Sequence, residues 1–113
     1  MSLGTWGEET AAGYLKACGY KIIERNFYCR IGELDLVAMD GETIVFIEVK
    51  TRRSLAYGLP CESITETKKH HIRRTIKYYL MVHRLEGVNL RIDIMEILIK
   101  NQSTYVRHIK NAF

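Results

Sequence analysis

The sequence predicts an α/β fold, a mixed sheet flanked by helices on both faces, and three observations predict it. Apolar residues recur at helical spacing in two segments, while the segments between and after them read as strands. The pair Asp40-Gly41 stands between two strand-like runs and signals a tight hairpin. A long helical segment separates the third strand from the fourth. Such a crossover lays the fourth strand parallel to the third.

Each element has its own signal. Thr5-Trp6-Gly7-Glu8 fits a capping box, with Thr5 as N-cap and Glu8 at the third helical position; residues 1–3 are given no weight. Ala11, Ala12, Leu15 and Cys18 continue that helix until Gly19 stops it. Residues 20–28 alternate loosely and are rich in β-formers, and residues 34–39 and 43–51 read as the second and third strands. Residues 52–61 carry Gly58 and Pro60 and read as a loop. The long helix spans 65–85, with Ile72, Ile76, Tyr79, Leu80 and His83 on its apolar line and Gly87 closing it. Residues 88–99 and 104–110 are the last two strands. The order is α-β-β-β-α-β plus one further strand.

With 113 residues, 47% of them hydrophobic and 27% charged, the chain reads as one globular domain over 1–113. No apolar run approaches the roughly 18 residues of a membrane span, and no signal-peptide pattern opens the sequence. The expectation is a cytoplasmic protein without membrane contact. Cys18, Cys29 and Cys61 lack Cys-x-x-Cys spacing and read as reduced thiols packed as small hydrophobes. His70, His71, His83 and His108 lack ligand spacing too, and read as surface or packing residues. Between Lys50 and Arg84 nine basic residues face only Glu62 and Glu66. That concentration fits phosphate contacts and equally a solvated helix face.

The hairpin sets a register. With Asp40 and Gly41 as the loop, Met39 pairs with Glu42, Glu33 lies opposite Glu48, Asp35 opposite Phe46, and Lys50 opposite Ile31. Alternation then puts Glu33, Asp35, Glu48 and Lys50 on one face. Asp35 and Glu48 become diagonal neighbours, about 7–8 Å apart at the backbone. Three carboxylates against one lysine leave an acidic excess that a divalent cation would relieve, and oxygen ligands select Mg²⁺ or Mn²⁺. An ion pair from Lys50 to Glu48 or Asp35, with Glu33 at the solvent edge, accounts for the same spacing. The strand is apolar on both faces (Val45, Ile47 and Val49 on one, Ile44 and Phe46 on the other) until Glu48. This predicts a central strand with charges gathered at one end. Glu8 falls on the sheet-facing side of the first helix, where its alternative role is the capping box. Lys68 lies on the apolar line of the long helix and reaches over the sheet edge or merely snorkels, while Lys69, Arg73 and Lys77 form an outward basic row.

Gly7-Glu8, Gly19-Tyr20, Arg25-Asn26, Gly32-Glu33-Leu34-Asp35-Leu36-Val37 and Val45-Phe46-Ile47-Glu48-Val49-Lys50-Thr51-Arg52 together resemble the YraN family of small bacterial proteins. Arg91-Ile92-Asp93 and the closing His108-Ile109-Lys110-Asn111-Ala112-Phe113 extend the resemblance over nearly the whole chain. That family is similar to the PD-(D/E)XK nucleases, and within them to Holliday junction resolvases. The resemblance implies a restriction-endonuclease-like αβββαβ core. Asp35 would stand for the motif aspartate, Glu48 and Lys50 for its Glu-x-Lys, and Glu8 for the helix-one glutamate that assists the metal. Leu34 departs from the motif's proline.

The expected function is metal-dependent hydrolysis of nucleic-acid phosphodiesters, with branched DNA among the candidate substrates. Asp35, Glu48 and Glu8 would hold Mg²⁺ or Mn²⁺, with Glu33 as an outer member. Lys50 would orient water or stabilise developing charge. Lys68, Arg52, Arg53, Lys69, Arg73 and Lys77 would contact the nucleic acid. Two rivals are a nucleic-acid-binding or adaptor module that does not cleave, and a structural partner of another protein. A homodimer fits a two-fold substrate.

Overall fold

The computed structural model describes residues 1–53 and 64–113. The chain runs α1 (Leu3–Ala17), β1 (Lys21–Tyr28), β2 (Glu33–Asp40), β3 (Thr43–Arg52), α2 (Glu66–Val82), β4 (Asn89–Lys100) and β5 (Ser103–Ile109). Most of the expected loop at 52–61, with Gly58, Pro60 and Cys61, lies outside the described residues.

The five strands form one sheet in the order β1-β2-β3-β4-β5. Neighbours are antiparallel except β3 and β4, which are parallel. This is the expected meander followed by a helical crossover. Each face carries one helix. Ala11, Ala12 and Leu15 of α1 pack on Leu36, Ala38, Val45 and Ile47. Ile72, Ile76 and Tyr79 of α2 pack on Val37, Ile44, Phe46 and Ile92. β3 is therefore apolar on both sides because both sides are covered.

The hairpin differs from its sequence reading by two residues. Asp40 pairs with Thr43 and Leu36 with Ile47, so the turn is Gly41-Glu42. Gly41 alone takes a positive φ, 61°, as a type II′ turn requires at its first position. Asp40 stays in the strand because Arg91 of β4 reaches across and donates to its carboxylate at 3.0 Å. Val37, not Asp35, therefore faces Phe46. One further step along this register sets Asp35 opposite Glu48, in place of the expected diagonal, and Glu33 no longer faces Glu48. A shift of two would by itself preserve the alternation of faces, but Leu34 and Val37 both pack with α2, so the alternation breaks at Asp35, whose carboxyl turns to the Val49 N–H of β3.

The helix ends were also read imperfectly. The N-cap of α1 is Ser2, whose hydroxyl accepts from Thr5 N at 3.1 Å, so Thr5 is inside the helix. Gly19 (φ 92°) closes α1 as expected, with Tyr20 N donating to Leu15 O and Gly19 N to Lys16 O. Thr65 caps α2 by accepting from Lys68 N, but α2 ends at Val82. Arg84, at φ 54°, is the left-handed residue that stops it, ahead of Gly87. Cys18 is exposed at the end of α1, outside the core, while Cys29 is partly buried; both are free thiols. No helix among the described residues is long and apolar enough to cross a membrane.

Candidate active site

The β2–β3 ladder ends at the Leu36–Ile47 pair. Just beyond it the Asp35 side chain takes over the pairing: its Oδ2 accepts the Val49 N–H at 2.8 Å. That bond fixes the carboxyl beside Glu48. Asp35 is half-buried and its pKa is pushed up to about 7, first by burial and then by repulsion from Glu48. Glu8 and Glu33 add to the repulsion, and the Val49 N–H opposes it.

Glu48 is held by two cations on one oxygen. Lys68 Nζ lies 3.2 Å from its Oε1 and Lys50 Nζ 3.7 Å. Lys68 thus does more than snorkel at the border of the core: it enters the acidic cluster from α2. Burial pulls the Lys50 pKa down, and the neighbouring Lys68 ammonium pulls it further, against Glu48 and Asp35. For Lys68, burial is the largest influence and lowers the value, but the combined pairing with Lys50 and Glu48 outweighs it and leaves it raised. Of the two amines, Lys50 gives up its proton more readily.

Glu8 reaches the same cluster from α1. With Ser2 as the cap, Glu8 has no capping role, which removes its principal alternative. Its pKa is raised by burial and by Glu33 and Glu48, with a hydrogen bond from Asn26 working the other way. α1 lies low enough for this because residue 7 is glycine. A β-carbon there would collide with the side chain of Thr51 on β3.

Asn26 is the residue that pattern reading missed. It sits between the Arg25–Leu36 and Phe27–Leu34 pairs, across from Asp35, and takes a φ of 52° inside a strand. Only the motif pair Arg25-Asn26 hinted at it. Glu96 was also missed. It is buried, in register with Lys50 on the adjacent strand, and pairs with Arg107 at 3.6 Å. A hollow of about 160 Å³ opens beside Glu48, lined by Gly32, Glu33, Lys68, His71 and Thr75.

The donor set of Asp35, Glu48 and Glu8 fits a hard divalent cation chemically, being all carboxylate oxygen. It is not drawn into a chelate: among the described residues no three or more Asp, Glu, His or Cys side chains come together closely enough to hold a metal. Within the site, the two lysines supply the positive charge. Of the outer cations, Arg52 ends β3 and Arg53 follows it, exposed. Lys69 pairs with Glu66 at 3.3 Å, and both Lys69 and Arg73 lie over the Phe113 ring. These two therefore flank α2 on the side of Phe113, and Lys77 follows them one turn on.

The chain as a whole has relatives among known proteins. The model of the Uncharacterised protein family UPF0102 matches residues 7–97. A UPF0102 protein of Caldicellulosiruptor saccharolyticus is 46% identical, covering 98% of this chain and 96% of its own. One of Dehalococcoides mccartyi is 47% identical over 96% and 90%, and one of Syntrophus aciditrophicus 44% over 100% and 89%.

Proposed function

The chain belongs to UPF0102, the YraN family, and we propose that it is a metal-dependent endonuclease with a restriction-endonuclease-like core, hydrolysing nucleic-acid phosphodiesters. The observation that carries this reading is the placement of Asp35, whose Oδ2 accepts the Val49 N–H at 2.8 Å beside Glu48 and its two lysines. A half-buried carboxyl lifted to about 7 by burial and three neighbouring carboxylates is a site prepared for a cation.

Asp35 and Glu48 would hold the ion, with Glu8 completing the acidic shell. A bound Mg²⁺ or Mn²⁺ supplies Lewis-acid polarisation of the phosphate and a more acidic water. The chain's own residues do the remaining work. The Val49 N–H fixes the Asp35 carboxyl, and Asn26 fixes Glu8. Lys50 orients the attacking water and stabilises the negative charge that develops on the phosphate. Lys68, 3.2 Å from Glu48, would contact the phosphate, and Arg52 and Arg53 would hold the flanking backbone. Nucleic acid, DNA in first place, is the substrate.

Cleavage of linear, flapped and branched DNA with Mn²⁺ or Mg²⁺ tests this directly. Asp35→Ala and Lys50→Ala should each lower the rate by about 100-fold or more. Activity surviving both substitutions would sink the mechanism. One observation favours a module that binds without cleaving: both lysines already neutralise Glu48. Calorimetric titration with Mn²⁺ separates the two, since the module predicts DNA binding with no metal binding.

A further inference from the structure

A second hollow continues from the first along α2. The small hollow beside Glu48 is bounded by Gly32, His71 and Thr75. The next, of about 630 Å³, is lined by Ile31, His70, Arg74, Lys77, Tyr78 and Met81. Ile31 precedes Gly32, and Thr75 and Tyr78 lie one helical turn apart, so the two hollows are neighbours along α2. Lys68 to Tyr78 spans ten residues, about 15 Å at the rise of an α-helix, which is room for a few nucleotides.

The larger hollow has two kinds of surface. Its floor is apolar and aromatic: Ile31, the Tyr78 ring braced against Phe27 at a centroid distance of 6.4 Å, and Met81, 67% exposed. Its rim is cationic, with Arg74 and Lys77, both exposed, beside His70. Its volume lies within the roughly 300–1,000 Å³ of small-ligand sites. A polyanion alone needs no apolar floor, and an apolar peptide needs no cationic rim. A nucleotide uses both, with its base on the ring and its phosphate at the rim.

We propose that this hollow seats an unstacked base of a single-stranded segment running away from the carboxylate site, so that the protein favours flapped or single-stranded nucleic acid over continuous duplex. The proposal rests on the nuclease reading for its direction along α2, but base seating itself requires no cleavage. The rim residues Arg74 and His70 join Lys77 as contacts, and Tyr78 and Met81 become the specificity elements.

The test is fluorescence anisotropy in chelator with three labelled oligonucleotides: a single strand, the same strand with consecutive abasic sites, and a blunt duplex. The abasic strand has the same phosphates, so loss of the bases should weaken binding by about tenfold while leaving the salt dependence unchanged. Met81→Ser, a change at an exposed side chain, and Tyr78→Ala should each narrow the gap between base-bearing and abasic strands. Lys77→Ala should weaken both strands alike and reduce the salt slope by about one. Equal binding of base-bearing and abasic strands overturns the proposal, as does preference for the duplex. Met81→Ser dissociating a dimer in sedimentation, with oligonucleotide binding unchanged, would assign the hollow to a second copy and overturn it too. Because no metal is present, a protein that fails to cleave but discriminates bases loses the nuclease reading and keeps this one. A protein that cleaves without discriminating does the reverse.

Discussion

At the scale of single residues the site is governed by one carboxyl. Asp35 has an ordinary value of 3.8 in the unfolded chain and about 7 in the fold, from burial and from Glu48. Between these values the folded state holds a proton that the unfolded state has lost, so stability falls as pH rises through that window. Asp35→Asn removes the effect. In metal-free buffer it should be more stable than the wild type at pH 8, by on the order of 1–3 kcal/mol, with no advantage at pH 4. Urea denaturation at the two pH values checks this, and parallel behaviour of the two proteins would contradict it. Asp35, Glu48 and Lys50 were legible as a set because the hairpin brings the ends of β2 and β3 together, although Leu34 and Val37 on one side show that simple alternation fails at Asp35. Asn26 was not. It works through a positive φ in mid-strand, which no alternation pattern displays. Lys68 was legible as a side chain reaching over the sheet edge, but its pairing with Glu48 depends on the distance between α2 and the sheet, a tertiary quantity.

At the scale of elements, what matters is how closely α1 lies on β3. Gly7 permits the contact with Thr51, and that contact delivers Glu8 to the cluster. Gly7→Ala should lift the helix and lower stability by about 1–3 kcal/mol, as overpacking does. Thr51→Ala in the same chain should restore much of the loss by removing the colliding atoms. Thermal unfolding of the single and double variants reads both effects, and additive losses would contradict a direct collision. Strand order, the parallel pair and the helix on each face were legible because period and crossover length dictate them. The hairpin register was not, because Asp40 is kept in its strand by Arg91, fifty-one residues away. The start of α1 was missed because a local motif at Thr5 competed with the Ser2 cap.

At the scale of the whole molecule, one buried carboxylate ties the sheet to the closing segment. Asp93 is fully buried and accepts from Arg91 Nε at 2.9 Å and from Asn111 N at 3.0 Å, and His108 Nε2 lies 2.7 Å away. Arg91 also donates to Tyr20 and Asp40, so the same network reaches the end of α1 and the hairpin. The sequence showed Arg91-Ile92-Asp93 and the closing residues only as separate motifs; the fold joins them. Asp93→Ala removes the buried acceptor shared by Arg91, His108 and the Asn111 N–H and should lower stability by about 1–3 kcal/mol. A loss under about 1 kcal/mol in urea denaturation would show that the network is dispensable. The network runs from Asp93 toward Asp40 at the hairpin, whereas Asp35 and Glu48 lie beyond the opposite end of the β2–β3 ladder. Stability and proposed chemistry are thus placed on different parts of one sheet.

The central claim is that Asp35 and Glu48 hold a divalent cation, and anomalous diffraction from a crystal soaked in Mn²⁺ tests it most directly. The account predicts one strong peak between the two carboxylates, with Glu8 turned toward it and Lys68 displaced from Glu48. Absence of a peak there at saturating Mn²⁺, with Lys50 and Lys68 still on Glu48, would contradict it.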